Sequence, residues 1–345
     1  MASLSGQIAR RAARWIPPGL ARNIAGPAAV FFHGVELPSS APGLENIHHR
    51  ADIFFEIAQS LKRHFDVLPL SAMAEARKNP SRHRHALFIT FDDGYANNLH
   101  VAADILGGLA LPWTLFVSTH HIESGERNPA FLARLFFRYA PDGDYTIPHF
   151  GRIILGTREQ RELQVDTSLN ALKFFNAARA KQSLDAMLES FSPERLEQLL
   201  EQFPSEKFLT WAELASLARR GVEIGAHAHS HWPMHAGQPR EYLTEQARLP
   251  RQLIESHVGP CRFFAYPFGN QADVSSEAWR AVRDAGYDFA FTTVSGTLTA
   301  SANPWLMPRY GVGMEETKLA SMIGLLRANN ARLISWQRGL APVSA

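Results

Sequence analysis

Two carboxylates stand side by side in Thr90-Phe91-Asp92-Asp93-Gly94-Tyr95, and two histidines stand four apart in Gly225-Ala226-His227-Ala228-His229-Ser230-His231. Adjacent carboxylates repel each other and lose hydration, an arrangement that is costly unless a cation or hydrogen bonds offset it. Successive side chains of an extended strand point to opposite sides, so the two need not play the same part. One can bind a metal while the other stays free as a base. Against this stands a plain turn, since Asp-Gly is a common turn pair. Histidines at i and i+4 reach one metal ion if the backbone between them curls like a helical turn; the bland alternative is an incidental histidine-rich surface loop. A zinc-protease motif is excluded, because it requires Glu directly after the first histidine and Ala228 stands there. Two histidines and one carboxylate leave positions open for water and substrate, as a catalytic metal site requires. A third element, Phe264-Ala265-Tyr266-Pro267-Phe268-Gly269, sets aromatics beside Pro and Gly, which suits either a groove for sugar rings or a packed rim loop.

These motifs need strands to carry them. Ala86–Phe91 (ALFITF) is apolar without alternation, as expected of a strand buried on both faces. Pro27–Phe32, Val67–Leu70, Thr114–Ser118, Val222–Gly225, Arg262–Ala265 and Phe289–Thr293 also read as strands. Helical spacing marks Ala51–Phe65, Ala96–Leu109, Glu241–His257 and Ser275–Ala285. Strand-then-helix alternation predicts an α/β fold, a distorted (β/α) barrel of about seven parallel strands. His33, Asp92, Asp93, His227, His231 and the Tyr266–Gly269 turn all follow strands, and in such barrels the carboxyl ends of the strands share one mouth. The regularity breaks between Gly125 and Lys207, a segment rich in helix formers with one weak strand candidate, Arg152–Leu155. It reads as a helical insertion that either covers the mouth or decorates the barrel. The expected organisation is a basic arm over 1–26, a barrel over 27–313 with the insertion at 125–207, and a C-terminal helix and tail over 314–345.

With 345 residues, 46% hydrophobic and 20% charged, the composition is that of an ordinary globular chain. A formal net charge of +2 gives no case for nucleic acid as a partner. The lone Cys261 excludes an internal disulfide framework and fits a reducing compartment, so a cytoplasmic setting is expected. The arm interleaves Arg10, Arg11, Arg14 and Arg22 with apolar residues. It lacks the continuous apolar core of a secretory signal, and either contacts an anionic membrane surface or is a surface helix or frayed arm.

Together, TFDDGY, EIGAHAHSH and FAYPFG in this order resemble the polysaccharide deacetylases of carbohydrate esterase family 4. The resemblance spans roughly Pro27 to Val312 and is reinforced by Trp113–Ser118, Thr210–Gly221 and Ala285–Thr293. It implies a divalent cofactor, usually Zn2+, held by Asp93, His227 and His231. It also implies Asp92 as the general base, the Phe268 backbone N–H at the oxyanion, and Tyr266 and Pro267 shaping the substrate groove. Three departures qualify it. Ala228 replaces the usual Ser or Thr, so a hydrogen bond steadying the histidine loop is expected to be missing. Ala265 stands where many members have an arginine that orients the base, and Arg309 is the candidate substitute. The late Leu-x-His segment that supplies the general acid is absent, for no histidine follows His257; His33 is the candidate in its place. His229 receives no role.

The expected reaction is metal-dependent removal of an N-acetyl group, less readily an O-acetyl group, from a hexosamine-containing polysaccharide or glycolipid. A catalytically impaired glycan-binding barrel and a deacylase of a non-sugar amide are the alternatives.

Overall fold

The computed structural model describes residues 26–37, 44, 47–313, 336, 337, 339 and 340. All but the last residue of the basic arm over 1–26, and most of the C-terminal helix and tail expected over 314–345, lie outside them. The described residues build a sheet around β5 (Ala86–Phe91), whose six residues are all buried. β1 (Ala28–Phe32) pairs with it on one side and β6 (Thr114–Val117) on the other. β9 (Glu223–Ala226), β10 (Phe263–Ala265) and β11 (Phe289–Phe291) continue the order past β6, while β12 (Tyr310–Gly311) flanks β1. All of these pairings are parallel. A two-residue strand, β4 (Asp66–Val67), pairs with β5 off this path. The seven strands curl towards closure. Met307 forms an isolated parallel bridge to Phe291, and three residues later Tyr310 pairs with Val30, so the Met307–Gly311 segment spans from one edge strand to the other.

The period-two alternation of the strands sorts their side chains into two packings. Val30, Phe32, Leu87, Ile89, Phe91, Leu115 and Val117 pack outward among the helices. Ala29, Phe88, Phe116, Phe263, Ala265, Phe291 and Met307 form a separate interior cluster. By the same parity Thr90 and Asp92 continue the inward row of Phe88.

The helices observed at Ala51–His64, Arg240–His257 and Ser276–Asp284 match their predicted spans closely. Two expectations shift. Val67–Leu70 is a strand only at its start, because Leu70–Ala72 turns into a 3-10 helix. The 96–109 helix opens with a π turn over Asn98–Ala102 before the α-helix Ala103–Gly108.

Residues 125–207 hold the helices Pro129–Tyr139, Arg158–Phe174, Ala177–Leu188 and Pro193–Glu201. They also hold an antiparallel hairpin, Gly143–Ile147 with Gly151–Leu155, of which the sequence showed only the second strand. Phe131, Phe136, Leu155, Leu169, Leu184 and Leu199 belong to an apolar cluster distinct from that of the barrel. Asn128 caps the first of these helices, its side chain accepting from the Ala130 N–H ahead of Pro129 at the first turn.

Candidate active site

The carboxyl ends of β1, β5 and β9 and the turn after β10 open onto a cleft of about 550 Å³ that is lined by His33, Asp92, Asp93, His227, His231 and Phe268. A larger groove of about 900 Å³ lies between Arg240–His257 and Ser276–Asp284, but the charges along it pair with each other, as Arg251 does with Glu255.

Asp92 faces the barrel interior and meets Arg309 in a two-pronged ion pair, Nη1 to Oδ1 at 2.7 Å and Nη2 to Oδ2 at 2.8 Å. Arg309 is fully buried. Its remaining donors reach Thr90 Oγ1 at 3.0 Å and the Thr292 carbonyl at 3.2 Å. The guanidinium also lies over the Phe31, Phe116 and Phe291 rings at 4.8, 5.5 and 5.9 Å. Every face of the buried charge is therefore answered, which is the condition for keeping it ionised. Burial alone would raise the Asp92 pKa; Arg309, with His227 and His33, outweighs burial and holds it below the usual carboxylate value.

Asp93 leaves the strand at φ 77. Its Oδ1 lies 3.2 Å from His227 Nε2 and 2.9 Å from His231 Nε2. One ligand atom from each of these three residues falls within a span of 4.8 Å. His227 Nδ1 lies 2.8 Å from the Ala265 carbonyl oxygen, which can only accept, so Nδ1 carries the ring proton and Nε2 presents a lone pair to the carboxylate. A lone pair facing a carboxylate is repulsive unless a proton or a cation stands between them. Burial pulls the His227 pKa down, but Asp92 and Asp93 outweigh it and raise it, and the same histidines hold Asp93 well below its usual value. A buried carboxylate oxygen without a fitted hydrogen bond and an imidazole oriented by a backbone carbonyl are a donor set and support that could hold a divalent metal ion.

Four of the six non-glycine residues with positive φ cluster here among the described residues: Asp93, Ala228, His231 and Phe268. Each left-handed residue costs on the order of 1–2 kcal/mol, so neighbouring contacts must over-determine it. The histidine loop shows how. The missing hydroxyl at Ala228 is made good by Gln246, whose Oε1 accepts from the His229 and Ser230 N–H groups at 3.0 and 2.8 Å. Ser118 Oγ donates to the His227 carbonyl at 2.8 Å. Asn128 Nδ2 lies 3.3 Å from His231 Nδ1. Ser118 closes the strand-like Trp113–Ser118 segment noted in the sequence, whereas Gln246 and Asn128 are isolated polar residues far from a motif and carry no signal there. His229 turns away and pairs through Nδ1 with Thr119 Oγ1 at 2.8 Å.

His33 lines the cleft next to Phe31, and burial lowers its pKa against the opposing pull of Asp93 and Asp92. Tyr266 does not shape the groove. The parity of β10 sends Phe264 and Tyr266 outward, where Tyr266 is fully buried and donates from its hydroxyl to the Trp305 carbonyl. Pro267 is likewise buried, and Phe268 is the member of this turn that meets the cleft. Ala265 faces the interior that Arg309 occupies.

A family profile, Polysaccharide deacetylase, matches residues 164–290, a span that includes His227 and His231. Over that span the chain is similar to the polysaccharide deacetylases. Its fold is similar to that of the Streptococcus pyogenes deacetylase PplD in complex with acetate, with TM-score 0.56 and 14% identity over 87% of this chain and 99% of that one. IcaB from Ammonifex degensii gives 0.54 and 15% over 87% and 97%. A polysaccharide deacetylase from Bacillus cereus gives 0.50 and 14% over 86% and 69%. A comparison with curated proteins returned no match. This likeness supports a hydrolase that acts on acetyl groups of carbohydrate.

Proposed function

We propose that the chain removes an N-acetyl group from a hexosamine in a polysaccharide or glycolipid, with a divalent cation, most readily Zn2+, held by Asp93, His227 and His231. The observation that carries this is the convergence of those three ligand atoms within 4.8 Å beside an aspartate kept ionised by Arg309. Held by Asp93, His227 and His231, a divalent cation would supply Lewis-acid chemistry, lowering the pKa of a bound water and polarising the acyl carbonyl. Asp92, ionised and pointing into the same cleft, accepts the proton of the attacking water. The Phe268 N–H stabilises the charge that develops on the acyl oxygen. His33 delivers a proton to the departing nitrogen. Its lowered pKa makes the imidazolium a stronger acid while reducing the fraction charged at neutral pH.

Two sequence departures favoured a retired, glycan-binding barrel: no arginine at 265 and no late histidine. The pairing of Arg309 with Asp92 and the position of His33 on the cleft support the enzyme over that alternative. Acetate release from acetylated chito-oligosaccharides, with and without added zinc, tests the proposal. Metal-dependent release supports it. No release from N- or O-acetyl substrates by protein with bound metal favours the binder, and release only from a non-sugar amide favours the third alternative.

Among the described residues no helix is long and apolar enough to cross a membrane. Peripheral membrane contact through 1–26 and a cytoplasmic setting remain part of this proposal.

A further inference from the structure

The insertion forms one wall of the catalytic cleft, placing Asn128, Arg134, Asp166, Asn170 and Lys173 along it. Lys173 occupies the last turn of Arg158–Phe174. Its Nζ stands 4.4 Å from the centre of the Phe268 ring. That ring in turn lies 5.2 Å from the ring of His231. One aromatic side chain therefore joins a lysine of the insertion to a metal-facing histidine of the barrel. Phe268 sits at φ 60, a conformation that bulky residues avoid. Its carbonyl side is tied down: Thr293 Oγ1 donates to the Phe268 carbonyl at 2.7 Å, and the Thr293 N–H donates to the Gly269 carbonyl at 2.9 Å. Gly269 follows at φ 65, where an added Cβ would come within 2.9 Å of the Thr293 nitrogen. Those bonds fix the peptide after Phe268. The peptide before it, which carries the N–H, is bonded through the Pro267 carbonyl to the Gly269 N–H at 2.6 Å, and the place where the ring is held adds a second constraint on its direction.

We propose that Lys173 is a positioning residue for the reaction, holding the Phe268 ring through a cation–π contact so that the Phe268 N–H meets the developing oxyanion. The proposal rests on the deacetylase function above. Asp273, a buried carboxylate, lies near enough to feel the Lys173 charge. A cation over a partly desolvated ring is the strong form of this contact. Under this assignment the insertion completes the catalytic constellation instead of merely decorating the barrel.

The test is a cycle of Lys173→Met, Lys173→Arg, Phe268→Ala and Lys173→Met/Phe268→Ala, read in kcat, KM, bound metal and thermal midpoint. Lys173→Met is expected to lower kcat roughly tenfold, the kinetic equivalent of one cation–π contact, with KM and bound metal little changed. Lys173→Arg restores most of the loss. In the Phe268→Ala background, Lys173→Met has no further effect on kcat. An unchanged kcat, a loss confined to KM, failure of Arg to rescue, or a full additional loss in the Phe268→Ala background each overturns the proposal. The last two would place Lys173 on the substrate itself. A parent protein that releases no acetate refutes the deacetylase function instead, and the cycle is then judged in thermal midpoint. Non-additive shifts support the Lys173–Phe268 coupling, and additive shifts overturn it.

Discussion

Neighbouring aspartates with identical chemistry are given different duties by one backbone turn. Asp92 ends an inward-facing row and is neutralised by Arg309; Asp93, at φ 77, swings out to the histidines. The ion pair keeps Asp92 ionised, since its pKa lies below the usual value and activity limited by its protonation falls only as the pH drops towards that value. Arg309→Ala should reverse the balance. With the guanidinium gone, burial raises the Asp92 pKa, so the acid limb of the kcat/KM profile moves upward by about one pH unit or more. The uncompensated buried carboxylate should also destabilise the fold by about 3–5 kcal/mol. An unchanged acid limb in folded Arg309→Ala protein would remove Arg309 from the mechanism. His33→Ala separates chemistry from metal binding: turnover should fall about 10²–10⁴-fold while bound metal, measured by elemental analysis, stays at the parental level. Near-normal turnover would assign the leaving-group proton elsewhere.

Elements explain why some of this was visible before the fold and some was not. Uniformly apolar β5 and the helix Arg240–His257 were legible because burial on two faces, or an amphipathic period, leaves a long signal. The Gly143–Ile147 strand was hidden because four of its five residues are exposed or half-buried. Asp92, Asp93, His227 and His231 could be singled out as candidates because their motifs are compact. Tyr266 was misplaced because a motif gives residue order while strand parity decides the face, and β10 turns even-numbered residues outward. Gln246 was invisible for a related reason: it lies mid-helix, and its role emerges only when the histidine loop docks on it. Gln246→Leu keeps the bulk of the side chain and removes the acceptor from two loop N–H groups. Metal affinity should fall about 10–100-fold, as for other groups that orient a ligand from behind. Competition with a fluorescent chelator measures this, and parental affinity in the variant would show that the loop holds its shape without Gln246.

At the scale of the whole molecule, three distant stretches of chain meet at one point: Asp93 after β5, His227 and His231 after β9, and the Met307–Gly311 segment that bridges the sheet edges and carries Arg309. Joining the first two stretches is a contact that only the folded chain makes, so a cation bound there stabilises the native state by mass action. Without a cation, the same spot holds a carboxylate oxygen against two imidazole nitrogens at 3.2 and 2.9 Å, which is stable only when protons bridge them. Metal removal should therefore do two things together. Dialysis against a chelator at neutral pH should abolish acetate release and lower the thermal midpoint. Restoring zinc to about 100 times its dissociation constant should return roughly 2.7 kcal/mol of stability. In a domain of this size that is a rise of several degrees, readable by differential scanning fluorimetry. Asp93→Asn, which keeps the shape and removes the charge, should abolish the zinc-dependent part of the shift. Should zinc raise the midpoint of Asp93→Asn as much as that of the parent, the stabilising ion sits elsewhere and the three-ligand centre is not the one that works.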